Sequence, residues 1–237
     1  MASNFGKTIQ VATFGASHGY AIGGIVEGLP CGHTIDIDEL QAFLKRRAPG
    51  QNQLQTQRKE ADIPEFLSGM VDGMLSGSPL AFMIRNTSQH SGDYNNLRDI
   101  PRPSHADFTA RMRYGDKVDM RGGGHFSARL TAPLCVAGGI ALQLLREKGI
   151  EIHGHLKQVG SIQDAPIDMV HPDMQALAHI ATKPIAMVDA NKRTEVENLV
   201  MQLKKDGDST GGIVEVIATG LPVGLGNPNF DGIENRL

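Results

Sequence analysis

The sequence predicts an α+β fold. Segments with the two-residue apolar period of strands and segments with helical spacing both occur. Glycine is frequent, with 28 residues, so tight turns and close backbone packing are expected. No internal repeat or low-complexity linker interrupts the chain, and residues 1–237 read as a single domain.

Residues 9–14 alternate and read as a strand, and residues 22–27 as a second, closed by Gly28-Leu29-Pro30. Asp36-Ile37-Asp38-Glu39 resembles a capping box. Leu40, Phe43 and Leu44 then carry a helix to about Arg47, where Ala48-Pro49-Gly50 stops it. Residues 50–62 have no period and read as a loop. Residues 66–71 and 80–84 read as strands, and residues 86–103 as a polar, turn-rich loop. Residues 133–148 form the longest apolar helical segment, stopped by Gly149. Gly138 and Gly139 weaken it and suggest close contact with a neighbouring element. Residues 150–156 alternate as a strand, and a short helix is expected near 173–181. Val196, Leu199, Val200 and Leu203 make an apolar stripe on a helix over 194–205, ended by Gly207. Residues 212–219 form the last strand.

Net charge is −3, so bulk electrostatics do not favour nucleic acid or an anionic membrane. Any anion must be held by a local basic cluster. With no Trp and 5% aromatic residues, a base-stacking platform is not expected. Cys31 and Cys135 form no C-x-x-C pair and read as reduced, buried thiols of a cytoplasmic protein. No signal peptide is read at the N-terminus. No stretch is read as approaching the roughly 20 apolar residues of a membrane span. Beyond the last strand the chain runs from Gly220 through Gly224-Leu225-Gly226 to Leu237 as a loop. A loop of this kind seldom closes a core, so the expectation is a chain that is cut or whose end lies on a partner.

Four polar clusters carry the chemistry. Met120-Arg121-Gly122-Gly123-Gly124-His125-Phe126-Ser127-Ala128-Arg129 suits an anion held by backbone N–H groups and guanidinium forks; a surface turn with incidental charge fits as well. It is neither the dinucleotide fingerprint nor a P-loop. Gly15-Ala16-Ser17-His18-Gly19 follows a strand and exposes an imidazole, or is a strand-end turn with a solvent-facing His. Lys45-Arg46-Arg47 is an arginine clamp or a set of cations complementing a helix C-terminus. In Arg102-Pro103-Ser104-His105-Ala106-Asp107, Pro103 stiffens the approach to His105 and Asp107 could orient its ring; an ordinary turn is the alternative. No metal-ligand spacing joins the histidines, which favours acid–base work over a metal site. His153, His155, His171 and His179 have no supporting motif and read as surface or strand residues.

In this order the clusters resemble the chorismate synthases. The resemblance runs through Thr13–Gly19, Arg46-Arg47 with Pro49-Gly50, Thr56–Asp62, Leu67-Ser68-Gly69 and Ile84-Arg85-Asn86-Thr87. It continues through Asp93-Tyr94, Arg102–Asp107, Arg121–Gly124, Ser127–Arg129, Asp208-Ser209, Gly211-Gly212 with Val214-Glu215, and Gly224–Gly226 with Phe230-Asp231. The resemblance implies a β-α-β sandwich, with helices between mostly antiparallel sheets, incomplete at the C-terminus. It also implies conversion of 5-enolpyruvylshikimate 3-phosphate to chorismate by a 1,4-anti elimination of phosphate. Reduced FMN would be the cofactor, without net redox change, in a homotetramer. By the same resemblance His18 protonates the departing phosphate and His105 keeps the reduced flavin in its working protonation state. Arg47 and Arg129 grip substrate anions with Ser17 beside His18. His125, Phe126 and Ser127 contact FMN, and Arg47 matches a position that contacts NADPH in members that reduce their own flavin.

Ala16, Ala48, Gln53, His125-Phe126 and Pro133-Leu134-Cys135 depart from the family's usual residues and mark a divergent branch. The resemblance also implies a longer family sequence, with a later Arg-x-Asp signature and further flavin-binding segments. The expectation is therefore a chain whose site is defective alone, with an inactive FMN- or anion-binding remnant as the alternative.

Overall fold

Alternating apolar residues in the first third of the chain build one antiparallel sheet, because each strand turns every second side chain to the same face. The computed structural model describes residues 3–50, 54, 60–87, 100–227, 229 and 232. It divides into two compact units, Met1–Gln143 and Leu144–Leu237.

In the first unit, β1 (Asn4–Gly6), β2 (Gln10–Gly15), β3 (Ala21–Glu27), α1 (Ile37–Arg47), β4 (Glu65–Ser68), β5 (Met70–Val71), β6 (Met74–Leu75), β7 (Leu80–Arg85), α2 (Asp107–Tyr114) and most of α3 (Thr131–Arg146) follow in order. The main sheet runs β1-β2-β3-β7-β4, with every pairing antiparallel. Ile22 opposes Ile84 and Val26 opposes Leu80, and all four side chains are buried. Gly24 opposes Phe82, whose ring lies where a Cβ would stand. The predicted strand over 66–71 is broken at Gly69, where a side chain would collide with the backbone of Leu80, so β4 and β5 are separate.

The expected α1 forms, with Asp36 accepting from the Glu39 N–H at 2.9 Å. The predicted box closes differently on its other side: the Asp36 N–H donates to Gln143 Oε1 at 2.9 Å, which ties α1 to α3. Leu40 and Leu44 are buried. Leu40 and Phe43 lie against Gly139, the close approach its glycine predicts, whereas Gly138 faces open space. The unpredicted α2 starts at Ala106 with no side-chain cap, so its sequence carried no start signal.

In the second unit, β8 (Glu151–Val159) pairs antiparallel with β9 (Ile162–Gln163) and, on its other side, with β10 (Gly212–Thr219). Helices α4 (Met174–Ile180) and α5 (Ala190–Asp206) lie between β9 and β10 in sequence. Leu177 and Ile180 of α4 pack with Ile217 of β10. Asp189 caps α5, and Gly207 ends it in the left-handed conformation. Of the predicted stripe on α5, Val196 is buried and Leu199, Val200 and Leu203 are half-buried.

Two expectations are corrected. Cys31 is exposed, and only Cys135 is partly enclosed, where burial pushes its thiol up. The stretch Arg121–Arg146 is long and apolar enough to cross a membrane by length and composition alone. Its first ten residues are tight turns, and the 16-residue α3 buries Ala132, Val136, Ile140 and Leu144. His155, which reads as a surface or strand residue, lies on β8. It is buried, with Nδ1 3.3 Å from Asp164 Oδ2 and Nε2 3.0 Å from Glu215 Oε2. Asp164 also accepts from the N–H groups of Ala165, Val188 and Asp189, so this cluster anchors the irregular stretch between β9 and α5.

Candidate active site

The turn after β2 is closed by the Gly19 N–H donating to Ala16 O at 3.0 Å. It does not present a solvent-facing imidazole: Ser17 is 2% and His18 8% exposed. The Ser17 N–H donates to Gly124 O at 3.0 Å, joining the turn to the glycine-rich loop.

That loop folds as two 3-10 turns, Arg121–Phe126 and Ala128–Leu130. Gly122, Gly123 and Gly124 have φ of 58°, 86° and 55°, which side-chain-bearing residues rarely adopt. At Gly122 a Cβ would run into the His18 ring, and at Gly124 into the Asp119 carbonyl. The close approach predicted for a ligand is thus made to His18. His125 Nδ1 donates to Gly15 O at 2.8 Å, and its Nε2 lies 2.8 Å from Ser3 Oγ. Its ring therefore staples the loop to the end of β2. Phe126 is 39% exposed and stacks on Tyr114 with centroids 6.1 Å apart. The Arg129 N–H donates to Ser127 Oγ at 3.3 Å.

Behind the loop lies a buried ionic network. The Asp62 side chain is fully enclosed and sits at φ 51°. One of its oxygens accepts from Arg47 Nη1 at 2.5 Å and the other from Arg129 Nη1. Arg129 Nε donates to Asn86 Oδ1 at 3.1 Å, and Glu60 Oε2 lies 4.0 Å from Arg129 Nη2. Glu60 also accepts from the Thr87 N–H and hydroxyl, at 3.1 and 2.8 Å. Arg47 reaches Thr131 Oγ1 at 3.3 Å and Ala128 O at 3.5 Å. The basic helix end therefore divides: Arg46 lies over the Phe43 ring, while Arg47 turns into the network.

The third cluster is held by a fork. Arg102 Nε and Nη2 donate to the two oxygens of Asp107 at 2.8 and 3.0 Å. That hydrogen bonding, more than any other influence, holds the Asp107 carboxyl below the usual carboxylate range. Asp107 hydrogen-bonds to Arg102, and its link to His105 is a smaller charge interaction without a hydrogen bond, so it does not orient that ring directly. His105 is exposed, and its Nδ1 donates to Pro103 O at 2.8 Å, which leaves Nε2 facing outward. Arg102 Nη2 approaches Gly123, so this turn meets the same loop as His18 does. Asp119 forms a fork with Arg121, at 2.9 and 2.8 Å, and is held low chiefly by it, with His18 a smaller influence.

Sequence reasoning singled out Ser17, His18, Arg47, His105, His125, Phe126, Ser127 and Arg129, and the loop links these segments. It gave no individual role to Glu60, Asp62, Asn86 or Asp119. Each is a single polar residue beside a motif, and the long-range pairing that reveals its partners has no local signal. Gln53, residues 56–59, Asp93, Tyr94, Phe230 and Asp231 lie outside the described residues.

Residues 9–237 match the family model described as chorismate synthase. The chain belongs to the chorismate synthase family. It is similar to the chorismate synthase of Lancefieldella parvula, 42% identical over all of this chain and 65% of that protein. The chorismate synthase of Ralstonia pickettii is 44% identical over 98% of this chain and 61% of its own length. That of Bacteroides thetaiotaomicron is 43% identical over 97% and 63%. The chain thus spans somewhat under two thirds of these relatives. A solved structure titled as a chorismate synthase crystal structure superposes with a TM-score of 0.72 at 26% identity, covering 93% of this chain and 61% of that one. The family's fold is therefore this chain's fold, with mixed helices and antiparallel sheets as the α+β expectation has it.

Proposed function

We propose that the chain acts as a chorismate synthase, a carbon–oxygen lyase that eliminates phosphate from 5-enolpyruvylshikimate 3-phosphate. The observation that carries this reading is the buried imidazole of His18, seated on a glycine loop that continues into Arg129. An acid–base group beside a guanidinium is what departure of a phosphate requires. In the 1,4-anti elimination the carbon–oxygen bond to phosphate breaks and a hydrogen leaves carbon 6. His18 delivers a proton to the departing phosphate oxygen. Ser17 lies beside it, and Arg129 and Arg47 draw the substrate's anionic groups to the loop. Asp62 fixes both guanidinium groups before substrate arrives, so less ordering remains to be done on binding.

The partly exposed Phe126 ring, stacked on Tyr114, suits a planar ring system. These residues fit FMN, with the loop at His125, Phe126 and Ser127 holding it. Reduced FMN, when bound, supplies an electron-rich ring without net redox change. His105 holds a proton at its outward Nε2 for that ring. All three nitrogens of the Arg47 guanidinium already meet protein oxygens, so an NADPH contact there would have to loosen them. With the reading go residues 1–237 as the N-terminal portion of a single chorismate synthase domain and, at full length, a cytoplasmic homotetramer, neither membrane-bound nor associated with nucleic acid.

The test is anaerobic mixing of the purified chain with reduced FMN and 5-enolpyruvylshikimate 3-phosphate. Phosphate and chorismate in equal amounts would carry the reading and overturn the expectation of a site that is defective alone. Binding of FMN without either product would replace this reading with that of a flavin- and anion-binding remnant.

A further inference from the structure

We propose that Asn86 is a positioning residue that ties the His18 turn to the Arg129 guanidinium. The inference rests on the reading of His18 as the proton donor and Arg129 as an anion-binding group. Asn86 follows the last residue of β7 and is 9% exposed. Its side-chain Nδ2 donates to Ala16 O at 3.1 Å and to Gly19 O at 2.8 Å, the two residues that bracket Ser17 and His18. Its Oδ1 accepts from Arg129 Nε at 3.1 Å. Its backbone N–H donates to Tyr20 O at 3.1 Å. Only one orientation of the amide satisfies both carbonyls and the guanidinium, so the group is fixed and not free to flip.

The arrangement has a direction. A cation at Oδ1 polarises the amide and strengthens the two N–H bonds on its other side. Arg129 is itself anchored by Asp62, with Glu60 nearby. Asn86 thus passes the fixed position of Arg129 to the turn that aims His18, across one planar group. The glycine loop holds the same turn from another side through Ser17 and Gly122.

Asn86→Asp separates the two functions of the amide. An aspartate keeps an acceptor for Arg129 but offers no donor to Ala16 O or Gly19 O. The primary readout is the His18 imidazole signal in NMR spectra of the full chain with labelled histidine. We expect the His18 signals to shift or broaden in the variant while those of His155, in the other unit, stay in place. In turnover, kcat should fall on the order of 10²-fold with KM changing much less, because a misaimed group costs rate more than binding. Unchanged His18 signals in a folded variant would overturn the proposal. Should the variant not fold, the unsubstituted chain decides. The two Nδ2 protons of Asn86 should then exchange slowly with solvent and show contacts to Gly19, and rapid solvent exchange without those contacts would overturn it. An unsubstituted chain without turnover defeats the functional reading alone, since the His18 and Asn86 signals need no substrate.

Discussion

The His18 ring occupies the space where residue 122 would carry a side chain, so one hydrogen atom decides whether that site forms. Gly122→Ala adds a methyl group against the ring and forces an L-residue to φ 58°. We expect kcat to fall on the order of 10²-fold while the folded state persists. Steady-state turnover beside circular dichroism checks both halves, and wild-type kcat in the variant would contradict the account. Asp62 poses the opposite case, a buried charge shared by two cations. Asp62→Asn keeps a residue that tolerates the left-handed backbone but removes the countercharge. One guanidinium group then faces the neutral amide oxygen and the other its NH2 group, at a cost of about 3 kcal/mol. Urea unfolding measures it, and a loss below about 1 kcal/mol would mean that water or Glu60 replaces Asp62 in the network.

At the scale of elements, α1 and α3 show what local sequence specifies and what it leaves open. Asp36, the period of Leu40 and Leu44, and the stop at Pro49 made α1 readable, because caps and periodicity act within one or two turns. Gly139 signalled close contact without naming the partner, which proved to be Leu40 and Phe43. Register between β3 and β7, the break at Gly69 and the pairing of Asn86 with Ala16 and Gly19 depend on residues tens of positions apart. No local pattern encodes them. The site was legible in the same uneven way: Ser17-His18 and the glycine run stood out by composition, while Asp62 and Asn86 became visible only through their partners. The α1–α3 contact gives a direct test. Leu40→Ala should destabilise the protein by about 2–5 kcal/mol, since a fully buried leucine leaves a cavity that a packed interface refills incompletely. Chemical denaturation reads the loss, and a value under about 1 kcal/mol would show that α1 is loosely seated.

Across the whole molecule, acid should act through carboxylates in both units. Asp107 in the first unit is held low chiefly by the Arg102 fork. Glu215 in the second is held low chiefly by its hydrogen bond to Lys157 and then by His155. A carboxylate whose folded pKa lies below its unfolded one contributes stability above the unfolded value, near 4 for both residue types. The contribution disappears as pH falls through the folded value. Asp107→Asn and Glu215→Gln each remove one titrating partner and retain a neutral acceptor. The stability gap between wild type and either variant should therefore be full at pH 6–7 and shrink as pH falls below about 4. Because the two groups lie in separate units and share no partner among the described residues, the two gaps should add in the double variant when the chain unfolds in one transition. Urea unfolding at a series of pH values from neutral to about 3 measures both the window and the additivity. A gap that stays constant through that range would show that these contacts contribute through hydrogen bonding and packing alone, with no linkage to the proton. A double variant whose gap falls short of the sum would show that the two units unfold in separate transitions, each variant then acting on its own unit alone.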